Sequence, residues 1–194
     1  MKLIFATSNP HKLTEILAIA PEGIEIVGLR DIGFNEELPE TRNTIEGNSL
    51  QKAEYLSLKF NVPCFSEDTG LEIDAINGEP GVYSARYAGE NATFEDNTNK
   101  VLLKMRGIEN RKARFKTVIT YYYEGRYVQF EGTTEGEIMK RSSGKQGFGY
   151  DPIFKPEGSD KTYAEMTLEE KNHFSHRKKS FEKFANHLRQ ISVL

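Results

Sequence analysis

The sequence predicts an α/β fold with long antiparallel additions, and three observations carry that prediction. Apolar runs of strand length, residues 3–6 and 62–65, alternate with stretches whose apolar residues recur at helical spacing. Two long β-forming segments, 114–123 and 126–139, follow one another across Gly125. No repeat, low-complexity run or linker composition interrupts the chain, so its 194 residues read as one domain, 1–194.

The elements follow in order. Residues 3–6 predict a buried strand that stops at Thr7-Ser8-Asn9-Pro10. Leu13, Ile16, Leu17 and Ala20 then mark one face of a helix, which Pro21 and Gly23 terminate. A second strand over 24–29 completes a βαβ start. After an acidic loop, a helix over 44–60 is expected to bury Ala53, Leu56 and Phe60. Residues 62–65 form a short strand ending at Ser66-Glu67-Asp68-Thr69-Gly70, and 71–76 alternate toward the turn pair Asn77-Gly78. A helix over 93–105 opens on Thr93 and Asp96 as a capping box and closes at Gly107. Thr167 and Glu170 form another capping box, and a last helix from Ser175 carries Phe181, Phe184, Leu188 and Ile191 on one face.

Bulk composition narrows the function. Lys+Arg (26) nearly balances Asp+Glu (29), so a net charge of −3 disfavours a nucleic-acid partner but leaves room for a small polyanion. Twelve Phe and nine Tyr can fill a core without Trp. No run approaches the roughly 20 apolar residues of a membrane span, and the N-terminus lacks signal-peptide architecture. The expectation is a cytoplasmic protein with no membrane partner. Cys64, the single cysteine, excludes an internal disulfide and reads as a buried structural thiol.

Five segments can carry chemistry. Thr7-Ser8-Asn9-Pro10-His11-Lys12 places backbone N–H groups, hydroxyls and a lysine at a helix N-terminus, a setting for phosphate oxygens. Glu67 and Asp68 end an apolar strand, where carboxylates can hold Mg²⁺ and poise a water. Strand alternation sends only one of the two into a given site. The acidic loop Glu36-Glu37-Leu38-Pro39-Glu40 can add a second metal ligand or be a solvated charge run. Gly144-Lys145-Gln146-Gly147-Phe148-Gly149-Tyr150-Asp151 matches neither the dinucleotide fingerprint nor a P-loop. It does offer aromatic rings to stack on a base and a carboxylate to accept its N–H groups. Ser175-His176-Arg177 opens the last helix with two donors.

Taken together, these residues resemble the inosine triphosphate pyrophosphatase family, which removes ITP, dITP and XTP. The similarity also covers residues 48–53, Pro80-Gly81-Val82-Tyr83-Ser84-Ala85-Arg86-Tyr87, Asp151-Pro152 and Glu170-Lys171-Asn172, and so runs over almost the whole chain. It implies a two-lobed α/β fold around a long curved mixed sheet, a nucleotide cleft between the lobes, and a homodimer. It implies Asp68 as general base and metal ligand, Thr69 beside the substrate, and Lys12, Lys52 and Lys171 on the phosphates or nucleotide. Phe148, Gly149, Tyr150 and Asp151, with His176 and Arg177, correspond to base recognition. Glu40 is the expected second Mg²⁺ ligand, with Glu37 in reserve.

The reaction so implied is water attack on the α-phosphorus of a purine nucleoside triphosphate, releasing pyrophosphate. His176 and Arg177 as donors suit the C6 oxygen of hypoxanthine and xanthine and oppose the amine of ATP. A non-catalytic nucleotide sensor is the alternative from another class, and Asp68 speaks against it, since pure binding gains little from a carboxylate beside phosphates.

Overall fold

The computed structural model describes residues 2–191. The chain divides into two compact units, Met1–Asp68 with Thr117–Gly132 and Arg177–Leu194, and Thr69–Lys116 with Thr133–His176.

In the first unit, β1 (Lys2–Ala6) fully buries Leu3, Phe5 and Ala6. It pairs in parallel with β2 (Glu25–Val27) and with β3 (Cys64–Ile73), in register Ile4↔Val27 and Ala6↔Ser66. Between β1 and β2 lies α1 (Pro10–Leu17), where Pro10 takes a first-turn position that lacks an N–H partner in any case. The expected βαβ start is therefore present. β2 is shorter than the 24–29 expected, because Gly28 donates its N–H to the Asp31 carboxylate at 2.8 Å and a 3₁₀ turn, Arg30–Ile32, follows.

α2 (Ile45–Phe60) begins on Thr44, whose hydroxyl accepts the Gly47 N–H, and stops at Asn61 in the left-handed region (φ 52°). Ala53 and Leu56 are buried as expected, but Phe60 is not: at 38% exposed it packs edge-on against Phe34 in the last turn. Leu17 and Ile191, also expected on apolar faces, are half in water for the same reason, each lying at a helix end. α5 (His176–Ile191) supplies Phe181, Phe184 and Leu188 to a core with Leu3, Phe5, Ile16 and Phe65.

β3 holds the main correction. The polar run from Ser66 to Gly70, expected to end a short strand over 62–65, is the middle of a ten-residue strand. Ser66, Glu67 and Asp68 are buried there because each meets a partner, which offsets the desolvation penalty that would otherwise end the strand.

In the second unit, β3 continues through Leu71 and Ile73 to a 3₁₀ turn, and the expected Asn77-Gly78 pair follows with both residues at positive φ. β4 (Pro80–Gly81) pairs antiparallel with β3. α3 (Phe94–Lys104) has both halves of the Thr93/Asp96 capping box. β5 (Lys112–Tyr123) and β6 (Arg126–Ile138) are neighbours joined by Glu124-Gly125, and β7 (Phe154–Pro156) is antiparallel to β6. α4 (Leu168–Phe174) starts on the expected Thr167/Glu170 box. Val101, Phe115, Ile153, Phe154 and Tyr163 centre the core of this unit. The sheet order β2-β1-β3-β5-β6-β7, with β4 on β3, is mixed, as the sequence predicted.

Candidate functional site

In the first unit, side chains from α1, α2, β3 and α5 form two neighbouring ionic groups, one around Glu67 and one around Asp68. Glu67 is fully buried on β3 and takes a two-pronged bond from Arg177, Nε at 2.7 Å and Nη2 at 3.0 Å. Lys12 Nζ lies 3.0 Å from the same carboxylate. Arg177 Nη1 donates to Glu15, one helical turn beyond Lys12. Alternation along the strand turns Asp68 the other way. Lys52 Nζ, from α2, donates to Asp68 Oδ1 at 3.1 Å and to Glu40 Oε1 at 2.5 Å.

Neighbouring carboxylates are thereby driven in opposite directions. Burial would raise Glu67, but Arg177 and Lys12 outweigh it and hold the group well below the ordinary carboxylate range. Burial raises Asp68, and Lys52 and Lys12 offset only part of the rise. Lys52 is kept charged despite burial by Asp68 and Glu40. Such a split separates a fixed anion from a group able to exchange a proton.

A row of hydroxyls lies behind this network. Ser49 Oγ donates to the Val118 carbonyl at 2.9 Å and lies 3.1 Å from Ser66 Oγ and 2.8 Å from Thr120 Oγ1. Ser66 in turn donates to the Ser49 carbonyl, and Gln129 Nε2 donates to Thr120 Oγ1 at 3.0 Å. Ser49 is one turn before Lys52 and Ser66 is two residues before Asp68, so these bonds tie α2 to β3 beside the Lys52–Asp68 pair.

A hard divalent cation fits this donor set. Glu40 and Asp68 oxygens converge on a single ammonium, and the Glu40 side chain is 36% exposed. Mg²⁺ commonly takes one or two carboxylates and completes its shell with water and phosphate. Three cations (Lys12, Lys52, Arg177) face four carboxylates (Glu15, Glu40, Glu67, Asp68), so a polyphosphate arriving here needs added positive charge. Among the described residues no group of three or more His, Cys, Asp or Glu side chains makes a metal cage by itself. Within the acidic loop, Glu36 is taken by Lys59 and Tyr55, Glu37 is exposed, and Glu40 alone shares Lys52 with Asp68.

The strand-to-helix turn differs from expectation in one respect. The N–H groups of His11 and Lys12 are not left open, because Asn9 Oδ1 accepts both, at 2.9 and 3.4 Å. Thr7 Oγ1 accepts the Asn9 N–H. Ser8, Pro10 and His11 are exposed beside Lys12.

In the second unit a different group assembles. Asp151 is 3% exposed, and its Oδ2 accepts the Phe148 N–H at 3.0 Å and Lys171 Nζ at 2.6 Å. Gly147 (φ 73°) is required here, since a Cβ would stand 2.0 Å from that oxygen. The Lys171 ammonium lies 5.3 Å from the centre of the Phe148 ring and 5.1 Å from that of Tyr163. His176 is buried and stacks on Phe115 at 4.8 Å. Tyr150 donates its hydroxyl to the Ser84 carbonyl at 2.8 Å, and burial pushes its ionisation up. Thr69 and Gly149 are half-buried.

The division between the units falls between Asp68 and Thr69 and again between His176 and Arg177. Sequence reasoning singled out Glu67 with Asp68 but gave it no role of its own, and it missed Glu15. The available signal for Glu15 was its position three residues after Lys12, on the same helix face.

Comparison with known proteins places this geometry. The sequence model of the Ham1 family matches residues 3–187. The chain belongs to the Ham1 family. Among Ham1 relatives, the dITP/XTP pyrophosphatase of Flavobacterium johnsoniae is 54% identical over 180 residues, 93% of this chain and 94% of that protein. The dITP/XTP pyrophosphatase of Bacillus subtilis is 44% identical over 186 residues, 94% of each. The solved Ham1 protein of Staphylococcus aureus superposes with a TM-score of 0.88 at 36% identity, covering 98% of this chain and 99% of that one. The family resemblance and the α/β class read from the sequence are borne out.

Proposed function

We propose that this Ham1 chain is a pyrophosphohydrolase that converts dITP, XTP and ITP to the monophosphate and pyrophosphate. Its relatives bear the name dITP/XTP pyrophosphatase at up to 54% identity over most of both chains. The observation that carries the mechanism is the placement of Asp68, a buried carboxylate whose Oδ1 shares the Lys52 ammonium with Glu40, at 3.1 and 2.5 Å.

Lys12 and Lys52 bind the phosphate oxygens, each already fixed by a buried carboxylate. Asp68 orients the attacking water and accepts its proton, a role suited to a carboxylate raised by burial. Glu67 remains ionised and keeps Lys12 and Arg177 in place. Glu40 and Asp68 would hold Mg²⁺, which would supply charge neutralisation for the phosphates and Lewis acidity toward water. Lys171, Phe148, Gly149, Tyr150 and Asp151 receive the nucleotide's base, with Thr69 near the sugar or phosphates. Thr7, Ser8, Asn9, Pro10 and His11 shape the turn that carries Lys12.

His176 and Arg177 are the proposed donors to the C6 oxygen. For Arg177 the network sets a condition: Nε, Nη1 and Nη2 each donate to Glu67 or Glu15, so it acts from a pinned guanidinium. Arg177→Lys keeps the charge and loses the fork. A fall confined to ITP and dITP supports base reading, whereas an equal fall on ATP assigns Arg177 to the phosphate end.

The chain is also proposed to act as a homodimer in the cytoplasm. The family resemblance supports the dimer, and no described helix is long and apolar enough to cross a membrane. The deciding experiment presents dITP, XTP, ITP, GTP and ATP with Mg²⁺ and follows the products. Pyrophosphate and monophosphate in equal amounts from the first three, with GTP and ATP poor, is expected. IDP and orthophosphate from ITP would exclude the mechanism.

A further inference from the structure

The loop that carries Phe148 is supported from one side by α3. Thr98 Oγ1 lies 3.3 Å from the Gly149 carbonyl. Phe94, four residues earlier and hence on the same helix face, places its ring centre 5.9 Å from that of Phe148, with the planes inclined at 50°. The capping box on Thr93 and Asp96 fixes the backbone at this first helical position, so the ring is held by an ordered helix start.

Phe94 is nevertheless 46% exposed, and neither it nor Phe148 belongs to the apolar clusters of the core. A large apolar ring left half in water gains little for stability. Beside an aromatic ring already flanked by the Lys171 ammonium, the same ring adds a second π surface to a place where a flat heterocycle can stack.

We propose that Phe94 is a base-contacting, specificity-determining residue, forming with Phe148 a two-ring receptor for the purine. The proposal rests on the reading of Phe148 as part of the base-recognition set. Phe148 supplies the face on which the base lies, and Phe94, inclined to it and in contact with it, meets the edge of the heterocycle. The sequence shows Phe94 only as a residue following a helix cap, which explains why the motif-based reading passed over it.

The chain contains no tryptophan, so Phe94→Trp introduces a single indole as a reporter at this position. Inosine monophosphate, at concentrations that inhibit dITP hydrolysis, is expected to quench the indole emission, and inorganic tripolyphosphate is not. In turnover, Phe94→Ala is expected to raise KM for dITP about tenfold, as loss of a base–aromatic stack does, with kcat within about twofold. Phe94→Trp should restore KM and Phe94→Leu should not. An indole silent to inosine monophosphate, or full restoration by Phe94→Leu, overturns the proposal, the latter reducing Phe94 to an apolar prop. Phe148→Leu separates the two readings. If its KM for dITP is unchanged, the base-recognition set itself is wrong. If its KM rises while the indole stays silent, only the role of Phe94 falls.

Discussion

The two side-chain clusters differ in how their charges are held. In the first unit, Glu67 meets two cations and Arg177 meets two carboxylates, all at or below 14% side-chain exposure, so each charge depends on several others. In the second unit the Lys171–Asp151 pair lies among aromatic rings, with the Phe148 backbone N–H on the same carboxylate. The first arrangement fixes Lys12 and Arg177 in position through buried carboxylates, which on the proposed reading holds cations ready for a charged group. The second presents rings and one carboxylate with a fixed direction, which suits a flat molecule with an ordered pattern of donors and acceptors. On the proposed reading, charge handling and shape recognition fall to different chemistry in different parts of the chain.

Breaking the first cluster should have the largest effect. Glu67→Gln removes the charge on which Arg177 and Lys12 depend, and disrupting a buried pair of this kind costs about 3–5 kcal/mol. The variant should melt far below the parent or fail to fold, measured by thermal denaturation. A near-normal Tm would show the network to be dispensable.

The adjacent residue should behave in the opposite way. Asp68→Asn is expected to lower kcat by about two orders of magnitude or more while leaving Tm at pH 7 equal to or above that of the parent. Burial raises Asp68, so its ionised form is disfavoured by the fold, and Lys52 retains Glu40 in the variant. The pH dependence of stability carries the same contrast. Glu67 is depressed in the folded state, so its contribution is present above the unfolded carboxylate value of 4.5 and is lost as pH falls below it. Asp68 is raised, so its contribution is present at low pH and is lost as pH rises through the folded value. Asp68→Asn should flatten the high-pH limb of a Tm–pH curve and leave the acid limb intact.

Effects in the second cluster should be smaller and should read out as selectivity. Gly147→Ala combines positive φ with a Cβ 2.0 Å from Asp151 Oδ2, so the Asp151–Lys171 pair must shift. We expect kcat/KM for dITP to fall about tenfold or more, in line with ångström-scale misplacement, with Tm changed modestly. Collapse of the fold instead would make this loop as structural as Glu67. The smallest expected effect belongs to His176→Phe, which keeps a ring against Phe115 and removes the donor. The preference for ITP over ATP should narrow by about tenfold, the worth of a hydrogen bond of about 1–1.5 kcal/mol. An unchanged ratio would remove His176 from base reading.

What the sequence disclosed depended on how local the signal was. Capping boxes at Thr93 and Thr167, the strand at residues 3–6 and the Asn77-Gly78 turn are short-range patterns, and each appears where expected. The continuation of β3 through Ser66-Glu67-Asp68 was not legible, because a polar run looks like a turn until partners 16 to 110 residues away are known. The same distance hid Glu15, whose role depends on Arg177, 162 positions along the chain. Asp68, Lys12 and Lys52 were picked out from sequence as individual residues, while the pairing among them came from the fold.

The hydroxyls of Ser49, Ser66 and Thr120 have a further consequence for how heat inactivates the protein. Apolar faces can slide over one another at little cost, since dispersion has no preferred alignment, but hydrogen bonds among buried hydroxyls are satisfied in one register only. These bonds act as a detent that stops α2 from creeping along β3, so the spacing of Lys52 and Asp68 does not drift gradually on warming. Activity and secondary structure should then disappear together in a single transition, and Ser49→Ala should open an interval of temperature in which the helix persists and turnover has already gone.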